Sequence, residues 1–578
     1  LFLAHDADVA SIAVEPADAL DVTGAGTTAD GRRIYEVHGR RWGRARLTVE
    51  YADGIRQTVH YKVIKPAAEA VADLGRFLTT EQWFDRPDDP FGRSPSVISY
   101  DMERRAPVTE DDRVWIAGLG DEGGSGSWLA AIARQLVQPD SVELVRLQRF
   151  VDGVLWGGIQ YAEGDLRYAV RKSMFYYEPD SMPAGTYSEN VRYGGWPSWS
   201  REQAESVGRS YNYPHVAAAH WVLYRLARNQ EGLVVNHEWQ WYLERAHETV
   251  LAMVRHAPDH AQFGQMEGTV FVMILLDLQR EGWEDAARAL EDAMRRRAEA
   301  WSELAYPYGS EMPWDSTGQE EVYAWCRYFG LDDKAAVTLA AILGYMPTVP
   351  HWGYNGSARR YWDFMYAGKI RRLERQLHHY GSALNAIPVL SEYRAHPDDL
   401  YLLRVGYGGL MGALANITQD GFAPAAFHAF PSTLANDPYS GDYGPGFLGH
   451  VLNVATCLTH DPVLGWLAFG GNVTVAEGSV RLEPLDAARS RVYLAPLGLW
   501  LTLDAGTFQT VEISGTDVSL TLAPSTSHAP VARLRIEQPA TVAGVGAISP
   551  VESYPVERGA FIIPLGPGPS LIQLRNQP

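Results

Sequence analysis

The 578 residues include 50 Lys or Arg against 70 Asp or Glu, a formal net charge of −20 at pH 7. This balance excludes a nucleic-acid partner, whose phosphates demand clustered basic groups, but not an anionic sugar held by local Arg and His. The length is too great for one ordinary core, so roughly two to four domains are expected, and 46% hydrophobic with 21% charged residues excludes a disordered chain.

Residues 1–66 read as a small N-terminal β-sandwich region. The runs IYEVHG, RARLTVEYADG and IRQTVHYKVI alternate or run apolar, and Asp53-Gly54 is a hairpin turn signal. The region reads as short of strands, as though a partner sheet were missing. From 67 to 465 the apolar period becomes that of helices, at 127–137, 142–155, 216–228, 239–255, 269–279, 283–301, 319–329, 334–343, 366–379 and 400–414. Several of these end in Gly or precede Pro. Joined by long loops rich in Gly and aromatic residues, they predict an (α/α) toroid of about six helical hairpins around a funnel, with the loops at one end building a cleft. Residues 466–578 return to alternation in VTVAEGSVRLEPL, RVYLAPLGLWLTLDA, TVEISGTDVSLTLAP and VARLRIEQPA, which predicts a C-terminal antiparallel β-sandwich. The fold class is mainly α with β, a toroid flanked by two β regions.

Cys326 and Cys457 are the only cysteines, so no disulfide framework holds the fold, and both read as buried free thiols. No run reaches the ~18 apolar residues of a membrane span. The chain starts at Leu1 with no Met and no signal peptide, as a mature form or a fragment does. No His/Cys cluster has metal-ligand spacing; no cofactor is required, and a structural calcium ion is compatible with the sequence.

The segment YPYGSEMPWDSTGQEEVYAWCRYFG, residues 306–330, packs Glu311, Asp315, Glu320 and Glu321 among Tyr306, Tyr308, Trp314, Tyr323 and Trp325. A core gains nothing from this mixture, because a buried carboxylate is costly unless paired. A sugar site needs it: aromatic rings stack on the apolar C–H faces, and charged or amide groups hold the hydroxyl rim. Tyr211-Asn212-Tyr213-Pro214-His215 stands at the mouth of a helix, with Pro214 suited to its first turn. There Asn212 either caps the helix and His215 packs, or the two form an anion site that a sugar carboxylate fits. Glu267 opens another helix, where the dipole alone accounts for an acid, as it does for Glu320 and Glu321.

The loop His351-Trp352-Gly353-Tyr354-Asn355-Gly356, followed by Arg359-Arg360-Tyr361-Trp362, is one that no core requires, and its Arg pair suits bidentate carboxylate recognition. Of His378 and His379, adjacent in sequence, at most one faces a site. Residues 427–443 add His428, Asp437, Asp442 and Tyr443. GLGDEGGSG at 118–126 matches GxGxxG by letter but lacks a βαβ unit; it reads as a turn into a helix, with Asp121 and Glu122 as wall residues. Phosphate-loop, GxSxG and HExxH motifs are absent.

The segments GRARLTVEYADG, WIAGLGDEGGSGSWLAA, ESVGRSYNYPHVAAAHW, FGQMEGTVF, YGSEMPWDSTGQEEVYAW, YMPTVPHWGYNGSARRYWDF and RQLHHYGSALNAIP resemble a family of secreted bacterial and fungal proteins carried as a domain of unknown function. That resemblance implies a larger β-domain of the same protein ahead of this chain, but no catalytic residues. More distantly, a toroid flanked by sandwiches is similar to many polysaccharide lyases and some glycosidases, including lyases acting on rhamnosyl-glucuronate ends of plant gums. It implies a polysaccharide or oligosaccharide partner, no membrane partner, and a secreted or periplasmic location.

Two chemistries fit. In β-elimination from a uronate, Asn212 and Arg359 or Arg360 neutralise the carboxylate, His215 takes the C5 proton, and Tyr354 or Tyr361 protonates the leaving oxygen. Tyr213, Glu267, Trp314, Glu320, Trp352, Asn355, His379 and Tyr443 then line the cleft as substrate-binding residues. In glycoside hydrolysis Glu311 and Asp315, or one of them with Glu267, supply the two carboxyls. A glycan-binding scaffold without chemistry predicts aromatic platforms without convergent titratable groups. Elimination is favoured, with His215, Glu311, Tyr354 and Arg360 expected to converge on one cleft.

Overall fold

The structure, a computed structural model, describes residues 1–307, 318–345, 369, 376–429, 434–441 and 443–577, with 345, 376–381, 426–429 and 434 described by their backbone alone. It mixes helices with sheets that are antiparallel in nearly every pairing, and no described sheet closes into a barrel. No described helix is long and apolar enough to cross a membrane.

The N-terminal strands are β1 (Phe2–Leu3), β2 (Val9–Glu15), β3 (Leu20–Thr27), β4 (Arg33–Gly39), β5 (Gly43–Tyr51) and β6 (Arg56–Val63). They form two sheets of three, in the orders β1-β4-β3 and β2-β5-β6. Leu3, Leu20, Leu47, Val49 and Tyr51 belong to one core shared between them. The expectation of a segment short of strands is corrected here: β2 and β3, whose weak alternation hid them, add to different sheets, β2 pairing with β5 and β3 with β4. Gly54, with φ of +84°, turns β5 into β6 as the Asp53-Gly54 signal requires.

The helices are α1 (Ala67–Thr80), α2 (Glu122–Arg134), α3 (Ser141–Phe150), α4 (Arg201–Glu205), α5 (Tyr213–Asn229), α6 (Trp239–His256), α7 (Thr269–Arg280), α8 (Glu284–Ser302), α9 (Gln319–Tyr328), α10 (Asp332–Tyr345), α11 (His379–Ala395), α12 (Leu400–Asn416) and α13 (Tyr443–Asn453). Helix α2 packs on α5, α5 on α7, α7 on α9, α9 on α11, α11 on α13, and α13 again on α2. Between them in sequence, α6 and α8 pack outside α5, α7 and α9, while α10 and α12 pack on α9 and α11. Near all-round burial marks the inner members: every residue of α2 and of α13 is buried, whereas α8 keeps charge on its outer face.

One expected helix is corrected. Of 366–379, the described end Gln376–His378 is a strand paired with Ala426–Ala429, and the helix runs from His379 onward. Tertiary pairing overrides the local pattern there. After α13 come a seven-stranded and a six-stranded sheet, with Leu482, Leu501, Val511, Leu520, Leu534 and Ile563 in the core they share. One pair is parallel, Thr456–Asp461 with Arg491–Leu494.

Buried ion pairs tie these sheets to the C-terminal ends of α5 and α7. Arg225 bridges Asp277 at 3.1 Å and Asp504 at 2.5 Å, and Arg535 reaches Asp504 at 2.8 Å. Glu281 accepts from Arg228 at 3.0 Å and Arg558 at 2.9 Å. Cys326 and Cys457 are free and buried, as expected.

Candidate active site

The opposite, N-terminal ends of the inner helices meet one another. At α2 the glycines of GLGDEGGSG are demanded by close backbone approach: a Cβ on Gly124 would stand 2.2 Å from the Trp115 carbonyl, and one on Gly120 2.5 Å from that of Arg171. A Cβ on Gly444, in the first turn of α13, would stand 2.2 Å from the Gly126 carbonyl of α2. Only glycine lets these helix mouths close on each other.

The mouths of α2 and α5 are joined by charge. Arg209 pairs with Asp121 and Glu122, each at 2.8 Å. Burial, followed by repulsion from Glu122, pushes the Asp121 carboxyl up to about 7 against the pull of Arg209. Ser210–Asn212 form a 3₁₀ turn that runs into α5, pinned by Ser210 Oγ donating to the Asp259 carbonyl at 2.8 Å. Asn212 takes the N-cap position, yet its side chain makes no capping bond.

His215, one turn into α5, is fully buried. Its Nδ1 lies 2.8 and 3.0 Å from the two oxygens of Glu267, itself fully buried at the mouth of α7. A carboxylate only accepts, so the hydrogen sits on Nδ1, and Nε2 is the atom left to exchange a proton. Burial alone would lower the pKa of His215. The charge and hydrogen bond of Glu267, with Glu122 and Asp121 behind, reverse this and hold it above the ordinary value. Burial likewise raises Glu267, against the opposing pull of His215. Glu267 adopts φ of +66°, a left-handed conformation that costs a non-glycine residue about 1–3 kcal/mol. Chain strain is thus spent on aiming this carboxylate at an imidazole, more than the dipole alone explains.

Two further carboxylates fix the mouth of α7 from α9. Glu320 Oε2 accepts from the Thr269 backbone N–H at 2.9 Å and from the Thr269 hydroxyl. Glu321 Oε2 accepts from the Gln265 N–H at 2.6 Å and from Arg297 at 2.8 Å. Burial pushes Glu320 up to about 8 despite the Thr269 bonds. Gly268 is required between them, since a Cβ there would stand 2.5 Å from the Glu321 side chain.

Against this scaffold several buried polar atoms have no hydrogen-bond partner: both side-chain ends of Asn212, His215 Nε2, both ends of Gln319, and Oε1 of Glu320. Each of these residues is fully buried. An unsatisfied buried polar group costs about 1–3 kcal/mol, and these lie in the first turns of α5 and α9. Among the described residues no group of three or more His, Cys, Asp or Glu is arranged to hold a metal ion.

Of the residues singled out from sequence, His215, Asn212, Glu267 and Glu320 lie at adjoining helix mouths. The hydroxyls of Tyr213 and Tyr443 donate to the Val207 and Ala413 carbonyls at 2.8 and 3.0 Å, and both rings are buried. His379 begins α11. Glu311, Trp314, Asp315, Trp352, Tyr354, Asn355, Arg359, Arg360 and Tyr361 lie outside the described residues. Sequence reasoning passed over Arg209, Gln319 and Arg297. Arg209 stands six residues before His215 in the same resembling segment, whereas Arg297 hides in the basic run of α8 and carries no signal.

No curated protein sequence matches the chain significantly. Among solved structures it is similar to one named "Polysaccharide Lyase BACCELL_00875", with a TM-score of 0.58 and 16% sequence identity over 77% of this chain. The chain spans 61% of that structure's length, and at this identity the likeness is one of fold. The model of the family of unknown function DUF5695 matches residues 1–571, and the chain belongs to that family.

Proposed function

We propose that this protein is a carbohydrate-active enzyme that cleaves a uronate-containing polysaccharide by β-elimination, from a cleft at one end of an (α/α) toroid standing between two β-sandwich regions. The observation that carries the reading is the His215–Glu267 pair, buried beside the unbonded amide of Asn212. The closed succession of inner helices supports the toroid, and the name of the similar structure agrees with the activity.

In this reading Asn212, three residues before His215 and so on the same helical face, donates to the uronate carboxylate at the positive end of α5. Neutralising that carboxylate acidifies C5. His215 Nε2 takes the C5 proton, the C4–O bond breaks, a C4=C5 double bond forms, and the leaving oxygen collects a proton. Glu267 holds the ring in the required tautomer and stabilises the imidazolium that forms, as the carboxylate behind a catalytic histidine does. Tyr354 or Tyr361 is assigned to the leaving oxygen and Arg359 or Arg360 to the carboxylate. A polymeric substrate places the enzyme outside the cytoplasm, secreted or periplasmic.

A second reading, glycoside hydrolysis, draws on Glu320. A carboxyl pushed up to about 8 is protonated at neutral pH, as a general acid must be. Glu320 already bonds the mouth of α7, which favours a structural role. Incubation with polygalacturonate, alginate, hyaluronan and a plant gum separates the readings, because elimination yields an unsaturated product that absorbs in the ultraviolet and hydrolysis does not. Saturated products from every cleaved glycan would sink the elimination reading.

A further inference from the structure

Among the described residues six glutamines are buried, and five of them are bonded. Gln82, Gln135, Gln148, Gln160 and Gln265 each donate from Nε2 to a carbonyl or carboxylate oxygen at 2.7–3.2 Å. Gln319 is the sixth. Its exposure is 0%, yet neither Nε2 nor Oε1 has a hydrogen-bond partner. Buried amides are bonded in nearly every fold, because an unpaired donor or acceptor away from water is destabilising.

No loose backbone accounts for the exception. Gln319 opens the ten-residue α9. Gly318 before it takes φ of +81°, and its carbonyl lies so close to Gly264 that a Cβ there would stand 2.2 Å away. The two residues after it, Glu320 and Glu321, are tied to the mouth of α7 through the Thr269 and Gln265 N–H groups at 2.9 and 2.6 Å. The turn is clamped on both sides of Gln319 while its amide is held by nothing. In a helix each Cα–Cβ bond tilts toward the N-terminus, so the side chain of a first residue projects past the helix end. That end is the one where His215 and Glu267 meet.

The chemistry of the amide selects the ligand. It carries two donors and an acceptor oxygen. A carboxylate only accepts and would leave Oε1 unpaired, whereas two neighbouring sugar hydroxyls donate and accept, and satisfy both ends. Its place selects the sugar unit. Helix α7 packs on both α5 and α9, and packed helix axes lie about 8–10 Å apart, so in a ring of six the mouths of α5 and α9 are roughly 14–17 Å from each other. One pyranose ring does not bridge that distance. A uronate held by Asn212 leaves Gln319 to another unit of the same chain.

We infer that Gln319 is a specificity-determining residue of a second subsite, where its amide takes a pair of neighbouring hydroxyls on a sugar unit beside the uronate held by Asn212. This rests on the reading of the chain as an enzyme of acidic polysaccharides.

The test compares the whole chain with Gln319→Met, close in shape but without donor or acceptor, and with Gln319→Ala. Melting temperature, affinity electrophoresis and steady-state kinetics are measured on polygalacturonate, alginate, hyaluronan and a plant gum, and on size-graded oligosaccharides of the best one. Gln319→Met should melt no lower than wild type, because it removes only unpaired polar atoms. On the polymer its KM should rise about tenfold and its retardation fall in step, with kcat changed much less, and Gln319→Ala should follow it. The loss should shrink on oligosaccharides too short to reach from α5 to α9. Wild type that cleaves a glycan while both variants match it in KM and retardation overturns the subsite and leaves the proposed function standing. A lowered melting temperature in both variants, with equal loss of cleavage at every length, also overturns it, by making Gln319 part of the fold. Retardation that depends on Gln319 with no turnover of any glycan upholds the subsite and overturns the enzyme. Neither retardation nor turnover in wild type overturns both.

Discussion

Replacing Glu267 with Gln tests the pair at the heart of the proposed site. Gln keeps an oxygen to accept from Nδ1 of His215 but removes the charge that lies 2.8 Å away with both groups fully buried. That charge is what lifts the pKa of His215 against burial. A buried opposite charge at this range moves a titratable group by about 1–3 units, or about 1.4–4 kcal/mol. The sign is fixed. In wild type the base form of His215 appears only as pH rises through a value above its ordinary 6.5, so the acidic limb of kcat lies above that pH. Without the carboxylate, burial dominates and pulls the pKa below 6.5, so the limb moves to lower pH by about 1–3 units. The plateau falls as well, because the base is weaker. The assay is kcat against pH on a uronate glycan, followed by the ultraviolet absorbance of the unsaturated product. A limb that stays put, or moves to higher pH, refutes the assignment of His215 as the base under the control of Glu267.

Asn212→Ala should leave the melting temperature nearly unchanged, because the amide makes no hydrogen bonds in the fold, while kcat/KM falls about 100-fold through loss of the carboxylate partner. Glu320→Gln should behave oppositely. The folded pKa of Glu320 is raised from 4.5 to about 8, so folding favours its neutral form and the penalty grows as pH rises through that window. The variant should therefore gain melting temperature over wild type at about pH 9 relative to about pH 5 and keep its elimination activity. Loss of all activity in Glu320→Gln would support hydrolysis instead. Arg225→Ala removes the bridge between Asp277 and Asp504 at the junction of α5, α7 and the C-terminal sheets, but leaves them Arg280 and Arg535, and should cost about 1–3 kcal/mol in urea unfolding.

Much of the helical framework was legible because its inner members repeat apolar residues at helical spacing. The expected stretches at 239–255, 269–279 and 400–414 end within two residues of the observed helices. Strands β2 and β3 were not legible: LDVTGAGT carries three small residues and no strong alternation, and its burial fades along the strand. At the site, the residue types around Asn212 and His215 pointed to an anion. The partner of His215 did not show in sequence, because Glu267 is 52 residues away and the helix-to-helix register that joins them is set by packing. The left-handed turn of Glu267 left no trace either. Glu320 and Glu321 read as ordinary first-turn acids, a position the dipole favours, but complete burial and bonds to α7 depend on how closely Gly264 and Gly268 let α7 approach α9. Tyr213 and Tyr443, expected at the site from composition, both donate their hydroxyls to backbone carbonyls, bonds that three-dimensional packing sets and sequence does not show.

The central claim, bond cleavage by elimination at His215, is tested most directly by the mass of the products. A uronate polysaccharide is digested in water labelled with heavy oxygen by wild type and by His215→Ala, and the new ends are weighed. Elimination predicts wild-type products that lack one water relative to hydrolysis products and carry no labelled oxygen, with turnover lost in His215→Ala by about 100-fold or more. Products that carry labelled oxygen at the new reducing end, or undiminished cleavage by His215→Ala, would contradict it.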